Sequence, residues 1–447
     1  MMRNALKNQL SNLNVNIIGA GLAGCEAAYQ LLKRGVNVTL FEMKPNKYTP
    51  AHKLNSYAEL VCSNSLKSND PITAGGLLKE EMRLLDSLLI KVADKVSVPA
   101  GSALAVDRVK FSEAVTKELK KFKNLKIVNE EVTKIDTNVP TIIATGPLTS
   151  DDLSKSIQNL IGKEYYYFFD AIAPIISKAS IDFKIAFIQD RYNKGNGDYI
   201  NCPMNKEEYT NFYNALVNAE TVNLHDFENN KVFEGCMPIE VLAKRGFDTM
   251  RFGPLKPVGL ADKEGKKPYA VVQLRKETNK NDMFNIVGFQ TNLTFSAQKE
   301  VFSMIPGLKN IDFLRYGTMH KNSYVNAPTC LNEYYQMKSY ENVFIAGQLS
   351  GVEGYIESIS SGLVAGLNMY RKLIGEKMIE FSERTMIGAL ARFISHATPE
   401  NFQPMSANMG LINIDGINIK DKKEKNKVLS FKAINDLKKI ITDYDLI

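Results

Sequence analysis

A glycine-rich turn set between a buried strand and a helix, an acid closing the next strand, and a second strand-plus-glycine segment near residue 345 predict an α/β fold of Rossmann type. Residues 15–18 (VNII) read as a short strand buried on both faces. Gly19, Gly21 and Gly24 follow at once in the spacing G-x-G-x-x-G. Residues 25–33 place Ala27, Ala28, Leu31 and Leu32 on one helical face, and Gly35 ends that helix. Residues 36–41 form the next strand, closed by Glu42. Each glycine has its own physical reason. The first permits a tight turn, the second lets the backbone approach a pyrophosphate, and the third lets the helix pack on the strand. The helix N-terminus offers unpaired N–H groups and a positive dipole end to phosphates. Glu42 lies about 20 residues past the last glycine, where a carboxylate accepts hydrogen bonds from ribose hydroxyls and repels a 2′-phosphate. Gly19, Ala20, Gly21, Leu22, Ala23, Gly24 and Glu42 are therefore candidate dinucleotide contacts.

Two later segments select FAD over NAD. Residues 140–146 (PTIIATG) read as a buried strand ending at Gly146, and residues 342–347 (NVFIAG) as another ending at Gly347, with Gly351, Gly354 and Gly362 beyond. A crossing strand in the middle and a late glycine segment fit a discontinuous FAD-binding, glutathione-reductase-like domain. Gly146 and Gly347 join the cofactor candidates, and Tyr355 is expected beside the isoalloxazine ring. The expected FAD domain spans 14–182 and 335–410, with a smaller inserted α+β domain over 183–334 and a partly basic C-terminal segment over 411–447. The pattern also predicts one charged helical stretch over 76–93, a helix over 111–122, strands over 125–128 and 132–135, and a helix over 362–373. The basic run 420–427 reads as a flexible tail.

The 447 residues, 44% of them hydrophobic, suffice for roughly two to three domains. No apolar run approaches the ~18 residues of a membrane helix. The first residues carry Arg3 and Lys7 without an apolar core, so a cytoplasmic protein with no membrane partner is expected. Five scattered cysteines without a CxxC pair exclude a disulfide framework and argue against a metal centre. A net charge of +7 suits a polyanionic partner.

Several motifs then become specific: 19–28 (GAGLAGCEAA), 49–52 (TPAH), 58–66 (AELVCSNSL), 198–204 (DYINCPM) and 233–240 (FEGCMPIE). They continue through 251–260 (RFGPLKPVGL), 315–322 (RYGTMHKN), 351–362 (GVEGYIESISSG) and 401–410 (NFQPMSANMG). Through these segments the chain resembles the TrmFO family, folate- and FAD-dependent methyltransferases that make 5-methyluridine in the T-loop of tRNA. The resemblance leaves out only the extreme N-terminus and the stretch after about residue 411. It implies 5,10-methylenetetrahydrofolate as carbon donor and reduced FAD as hydride donor, with NADPH or NADH reducing the flavin.

C5 of uracil is a poor nucleophile until a thiolate adds at C6, so a cysteine of lowered pKa is the natural catalyst. The resemblance implies roles for Cys236 and Cys62: Cys236 as the C6 nucleophile and Cys62 as the thiol that assists C5 proton removal, with the reverse assignment open. His52 and His320, inside matched motifs, are candidates to stack on a pterin or hold the uracil edge. Candidate RNA contacts are Arg245, Arg251, Lys256, Arg275 and Lys321, with Lys244, Lys266, Lys267 and Arg315 beside them. Two alternatives stay open at this level: the same chemistry on a 23S rRNA uridine, and a flavin oxidoreductase of small molecules without RNA.

Overall fold

The computed structural model describes residues 13–162, 165–193, 197–222, 237–277, 282–413 and 419–447. Five parallel strands form the principal sheet, in the order Val343–Ile345, Thr141–Ile143, Asn14–Ile18, Asn37–Phe41 and Leu125–Val128. Val15, Ile17, Val38, Leu40, Ile142, Ile143, Phe344 and Ile345 are all fully buried, as expected of parallel strands covered on both faces.

The glycine turn and the helix Leu22–Leu32 follow the first strand as the spacing predicts. Gly19 takes a φ of +99°, and a Cβ on Gly24 would lie 1.9 Å from the Gly19 carbonyl oxygen. The turn therefore admits no side chain at its third glycine. The helix is buried along nearly its whole length and packs on the helix Tyr355–Leu373. That contact is backbone to backbone: a Cβ on Gly362 would sit 2.2 Å from the Ala23 carbonyl oxygen. The late glycine segment thus returns directly onto the first glycine turn.

The inserted unit has its own sheet, six strands in the order Phe187–Ile188, Tyr199–Met204, Ala270–Lys276, Met283–Ile286, Ile175–Ser177 and Phe313–Arg315, all paired antiparallel. Its separate core includes Tyr209, Phe212, Phe284, Phe289 and Phe302. The buried residues of this core run from Ile176 to Ile311, and the last strand of its sheet ends at Arg315. An antiparallel ribbon, Tyr165–Ile172 with Thr318–Val325, joins the two units.

Four local expectations are corrected. The stretch 76–93 is two helices, Ala74–Leu84 and Leu88–Lys95. Asp86 takes a φ of +61° between them, its carboxylate held by Lys33 and Tyr29, and Ser87 caps the second helix. Residues 132–135 form no strand; the Ile135 N–H donates to Ser156 Oγ, and the segment lies beside the sheet instead of extending it. The basic run is not a tail. It belongs largely to a 22-residue helix, Lys422–Asp443, anchored by buried Leu429, Ala433 and Leu437. The late helix also starts at Tyr355, well before 362.

Candidate functional site

The first locus is a cleft at the C-terminal edge of the parallel sheet. Gly19, Ala20, Gly21, Glu42, Lys44, His52, Glu59, Glu130, Glu131 and Thr145 line it. This is where a doubly wound sheet binds ligands. One Glu42 carboxylate oxygen accepts from the Ala20 N–H at 3.0 Å and the other from the Lys44 N–H at 3.0 Å. The backbone fixes the carboxylate and leaves each oxygen with a lone pair for a ribose hydroxyl. Lys44, itself buried, donates to the Ser56 carbonyl at 2.8 Å. The cleft contains four glutamates, an environment that repels a 2′-phosphate. Space lies open beside Gly21, where a Cβ would meet only the Ala144 carbonyl oxygen, at 3.9 Å. These residues fit the adenosine and pyrophosphate end of a dinucleotide.

His52, expected at the pterin or the uracil edge, lines this cleft. Its ring lies in this cleft, with Nδ1 2.5 Å from Thr49 Oγ1, among the dinucleotide contacts. It lines the same cleft as Glu42.

The second locus is the loop 60–64, where the two units meet. Tyr355, the first residue of the late helix, accepts on its hydroxyl oxygen from the Cys62 N–H at 2.7 Å and the Ser63 N–H at 3.1 Å. Burial and the neighbouring Cys62 push the Tyr355 phenol well above its ordinary pKa, so it is neutral and keeps its own O–H to donate. The expectation for Tyr355 concerns its aromatic face beside the flavin ring; its hydroxyl in addition carries the Cys62 loop.

Three arginines close on the same loop. Arg108 donates to the carbonyls of Leu60 at 2.9 Å and Cys62 at 3.1 Å, and pairs with buried Glu277 at 2.6 Å. Arg315 donates to the carbonyls of Val61 at 2.9 Å and Cys62 at 3.2 Å. Burial, and then the adjacent Arg108 guanidinium, push Arg315 down to about 10. Arg275 donates to Asn64 Oδ1 at 3.0 Å and Ser63 Oγ at 2.6 Å. Arg275 and Arg315, both expected as RNA contacts, are engaged here in holding the loop between the units. Two of these cations share the Cys62 carbonyl, and both guanidiniums interact electrostatically with the half-buried Cys62 thiol. Cys25 and Cys202 are the opposite case. Both are fully buried, and burial drives both thiols up, Cys202 to about 12.

Cys236 lies outside the described residues, as do the side chains of His320 and Lys321. Just beyond Cys236 the chain is firmly anchored. The Ile239 N–H donates to the Gln290 carbonyl at 2.7 Å, and buried Glu240 accepts from Thr291 Oγ1 and the Asn292 N–H, each at 2.8 Å.

The remaining RNA candidates lie on the inserted unit. Arg245 and Lys256 are exposed. Arg251 stacks on Tyr269, its guanidinium 3.6 Å from the ring centroid, and pairs with Asp248. Arg251, Lys256 and Lys267 line one shallow groove with Pro257, Tyr269 and Phe252, whose side chain is 82% exposed. Sequence reasoning missed Arg108, Lys67 and Phe252; only the aromatic between Arg251 and Lys256 carried a local signal.

A family model described as glucose inhibited division protein A matches residues 14–377. Proteins named methylenetetrahydrofolate--tRNA-(uracil-5-)-methyltransferase TrmFO are similar over nearly the whole chain. The one from Acetivibrio thermocellus is 53% identical over 431 residues, 96% of this chain and 99% of the relative. The one from Bacillus licheniformis is 54% identical over 430 residues, with the same coverage. The chain belongs to the TrmFO family. Among solved structures, GidA of Aquifex aeolicus in its form II crystal superposes with a TM-score of 0.69 at 17% identity, covering 98% of this chain and 74% of that one. That likeness extends the shared fold across both units.

Proposed function

We propose that this chain forms 5-methyluridine in the T-loop of tRNA, in the cytoplasm, with 5,10-methylenetetrahydrofolate as carbon donor and FAD as the bound cofactor. The relatives' names support the substrate and the carbon donor. The observation that carries the chemistry is the tie between Cys62 and Tyr355, which sets a thiol-bearing loop on the head of the helix that packs against the glycine turn.

The backbone of residues 19–24 would hold the pyrophosphate, and Glu42 and His52 the adenosine side. Gly146 and Gly347 would border the path toward the ring, and Gly347 packs against Ala23, at the start of the glycine-turn helix. When bound, FAD supplies the hydride that completes the methyl group, after reduction by NADPH or NADH. The protein's own work is at the uracil. A thiolate, assigned to Cys236, adds at C6 and makes C5 nucleophilic. Cys62, held among cations, takes the C5 proton as tetrahydrofolate leaves the attached carbon, and after hydride has completed the methyl group the Cys236–C6 bond breaks to return the thiolate. His320 serves the pterin or the uracil edge. Arg245, Arg251, Lys256 and Lys321 contact RNA phosphates and offset the few kcal/mol that unstacking the target uridine costs.

The test is incubation with T-arm RNA containing 5-fluorouridine, methylenetetrahydrofolate and NADPH. The expected result is a covalent protein–RNA adduct that is lost in Cys236→Ala and kept in Cys62→Ala. Loss in Cys62→Ala alone reverses the two cysteines, and no adduct with the unaltered protein overturns the proposed chemistry.

A further inference from the structure

The strand Ser65–Ser68 slips in register against Ala103–Val106, and within the slip Lys67 takes a φ of +63°. A non-glycine residue is held there only when its surroundings over-determine it, and such residues cluster at functional sites. The surroundings here are specific. Lys79, fully buried, donates from one ammonium to the carbonyls of Leu66 at 2.7 Å, Ser68 at 2.6 Å and Gly75 at 2.9 Å. It thereby grips the backbone on both sides of Lys67.

The twist aims Lys67 at the head of the helix Tyr355–Leu373. Lys67 Nζ lies 2.6 Å from Glu357 Oε1 and 3.2 Å from Ser406 Oγ. It is 3.0 Å from the position a Cβ on Gly354 would take. The lysine side chain remains 40% exposed while Glu357 is fully buried behind it. The second oxygen, Glu357 Oε2, is buried at the same helix head with no hydrogen-bond partner. So one place gathers a long helix's N-terminus, a forward-facing ammonium and an unsatisfied buried carboxylate oxygen. The same helix begins with Tyr355, which carries the Cys62 loop.

The head of the helix Leu22–Leu32 packs on the helix Tyr355–Leu373 at Gly362, Gly347 packs against Ala23, and Gly354 caps the N-terminus of the second helix, so a dinucleotide held at the glycine turn would extend along this helix toward Gly354. We infer that Lys67 is the cation that faces the pyrimidine edge of the bound flavin, with Glu357 and Ser406 positioning it and Lys79 enforcing the strained turn that brings it there. The N1–C2=O edge becomes negative when flavin is reduced, so a fixed ammonium and a helix N-terminus favour the reduced form. Lys67 thereby tunes the hydride donor. This inference rests on the reading that the chain binds FAD.

The test is sulfite titration of the FAD-loaded protein together with its two-electron reduction potential. Sulfite adds to the flavin and leaves negative charge on the same edge. Lys67→Met is expected to keep stoichiometric FAD, bind sulfite at least tenfold more weakly and have a more negative potential, with Lys67→Arg restoring both. Glu357→Gln keeps the cation and removes its counter-charge, so it is expected to shift both readouts the opposite way. It decides the matter if Lys67→Met does not fold. Unchanged sulfite affinity in Lys67→Met, or Glu357→Gln that is unchanged or weakened, overturns the inference. Unaltered protein that retains no FAD overturns instead the reading beneath it.

Discussion

The cleft at Glu42 and the loop at Cys62 are built by opposite means. In the cleft, the fixing contact runs from Ala20 to Glu42, 22 residues apart, and the shape comes from glycines that leave space. At the loop, the contacts reach from Cys62 to Arg108, Arg315 and Tyr355, separated by 46, 253 and 293 residues, and the shape comes from long polar side chains that fill space. A site of the first kind depends on backbone geometry. A site of the second kind depends on the two units being docked.

Breaking the cleft gives the largest effect. Gly24→Ala puts a methyl group where the Gly19 carbonyl oxygen already stands. The turn has to open, at about 1–3 kcal/mol of overpacking cost. Purified protein is expected to lose the visible absorbance that bound FAD gives it. Full retention of flavin would show that the turn is not the anchor. The same change is expected to leave the alkylation of Cys62 largely intact in protein that still folds.

Breaking the loop is expected to spare the flavin. Arg315→Met removes one of two cations that share the Cys62 carbonyl. Lost positive charge disfavours thiolate, so the alkylation rate of Cys62 near neutral pH should fall severalfold, with its pH profile moved upward. FAD content should not change. An unchanged profile would mean that the guanidinium holds the backbone without acting on the thiol. Tyr355→Phe asks a gentler question. It strands two N–H groups, of Cys62 and Ser63, at about 1–3 kcal/mol if both stay dry. The expected result is a lower kcat and faster local hydrogen exchange over 60–64, with the KM for folate nearly constant.

This contrast also explains what is legible in the sequence. Gly19 to Glu42 announces itself because strand, turn, helix and acid are successive, and each residue type has a local steric or dipolar reason. Gly362 reads as the last glycine of the late segment and the start of a helix, yet its role is to let two helices touch at Ala23, a fact of packing. The split of 76–93 at Asp86 escapes because a positive φ at an aspartate leaves no periodic trace. Arg275 and Arg315 resemble RNA contacts because charge alone does not reveal burial; their partners are a loop more than 200 residues away. The Cys62 and Cys236 motifs emerge through family resemblance, and nothing in their spacing fixes which thiol does what.

The smallest expected effect concerns a third surface, where neither kind of construction applies. Phe252 is 82% exposed beside Lys256, Lys267 and the Arg251–Tyr269 stack, so it contributes little to folding. If tRNA lies across this groove, Lys256→Ala should weaken binding of T-arm RNA a few-fold. It should also reduce the slope of log affinity against log salt by about one contact's worth, roughly 0.7 to 0.9. Phe252→Ala should weaken binding by about 1–3 kcal/mol if a base stacks there, with no change in salt slope. Thermal stability should stay within about 0.5 kcal/mol in both, since each side chain is largely free of the core. Equal salt slopes in the unaltered protein and Lys256→Ala would move the RNA off this groove. The proposed unstacking of the uridine would then need its cations from elsewhere on the inserted unit, with exposed Arg245 the first to examine.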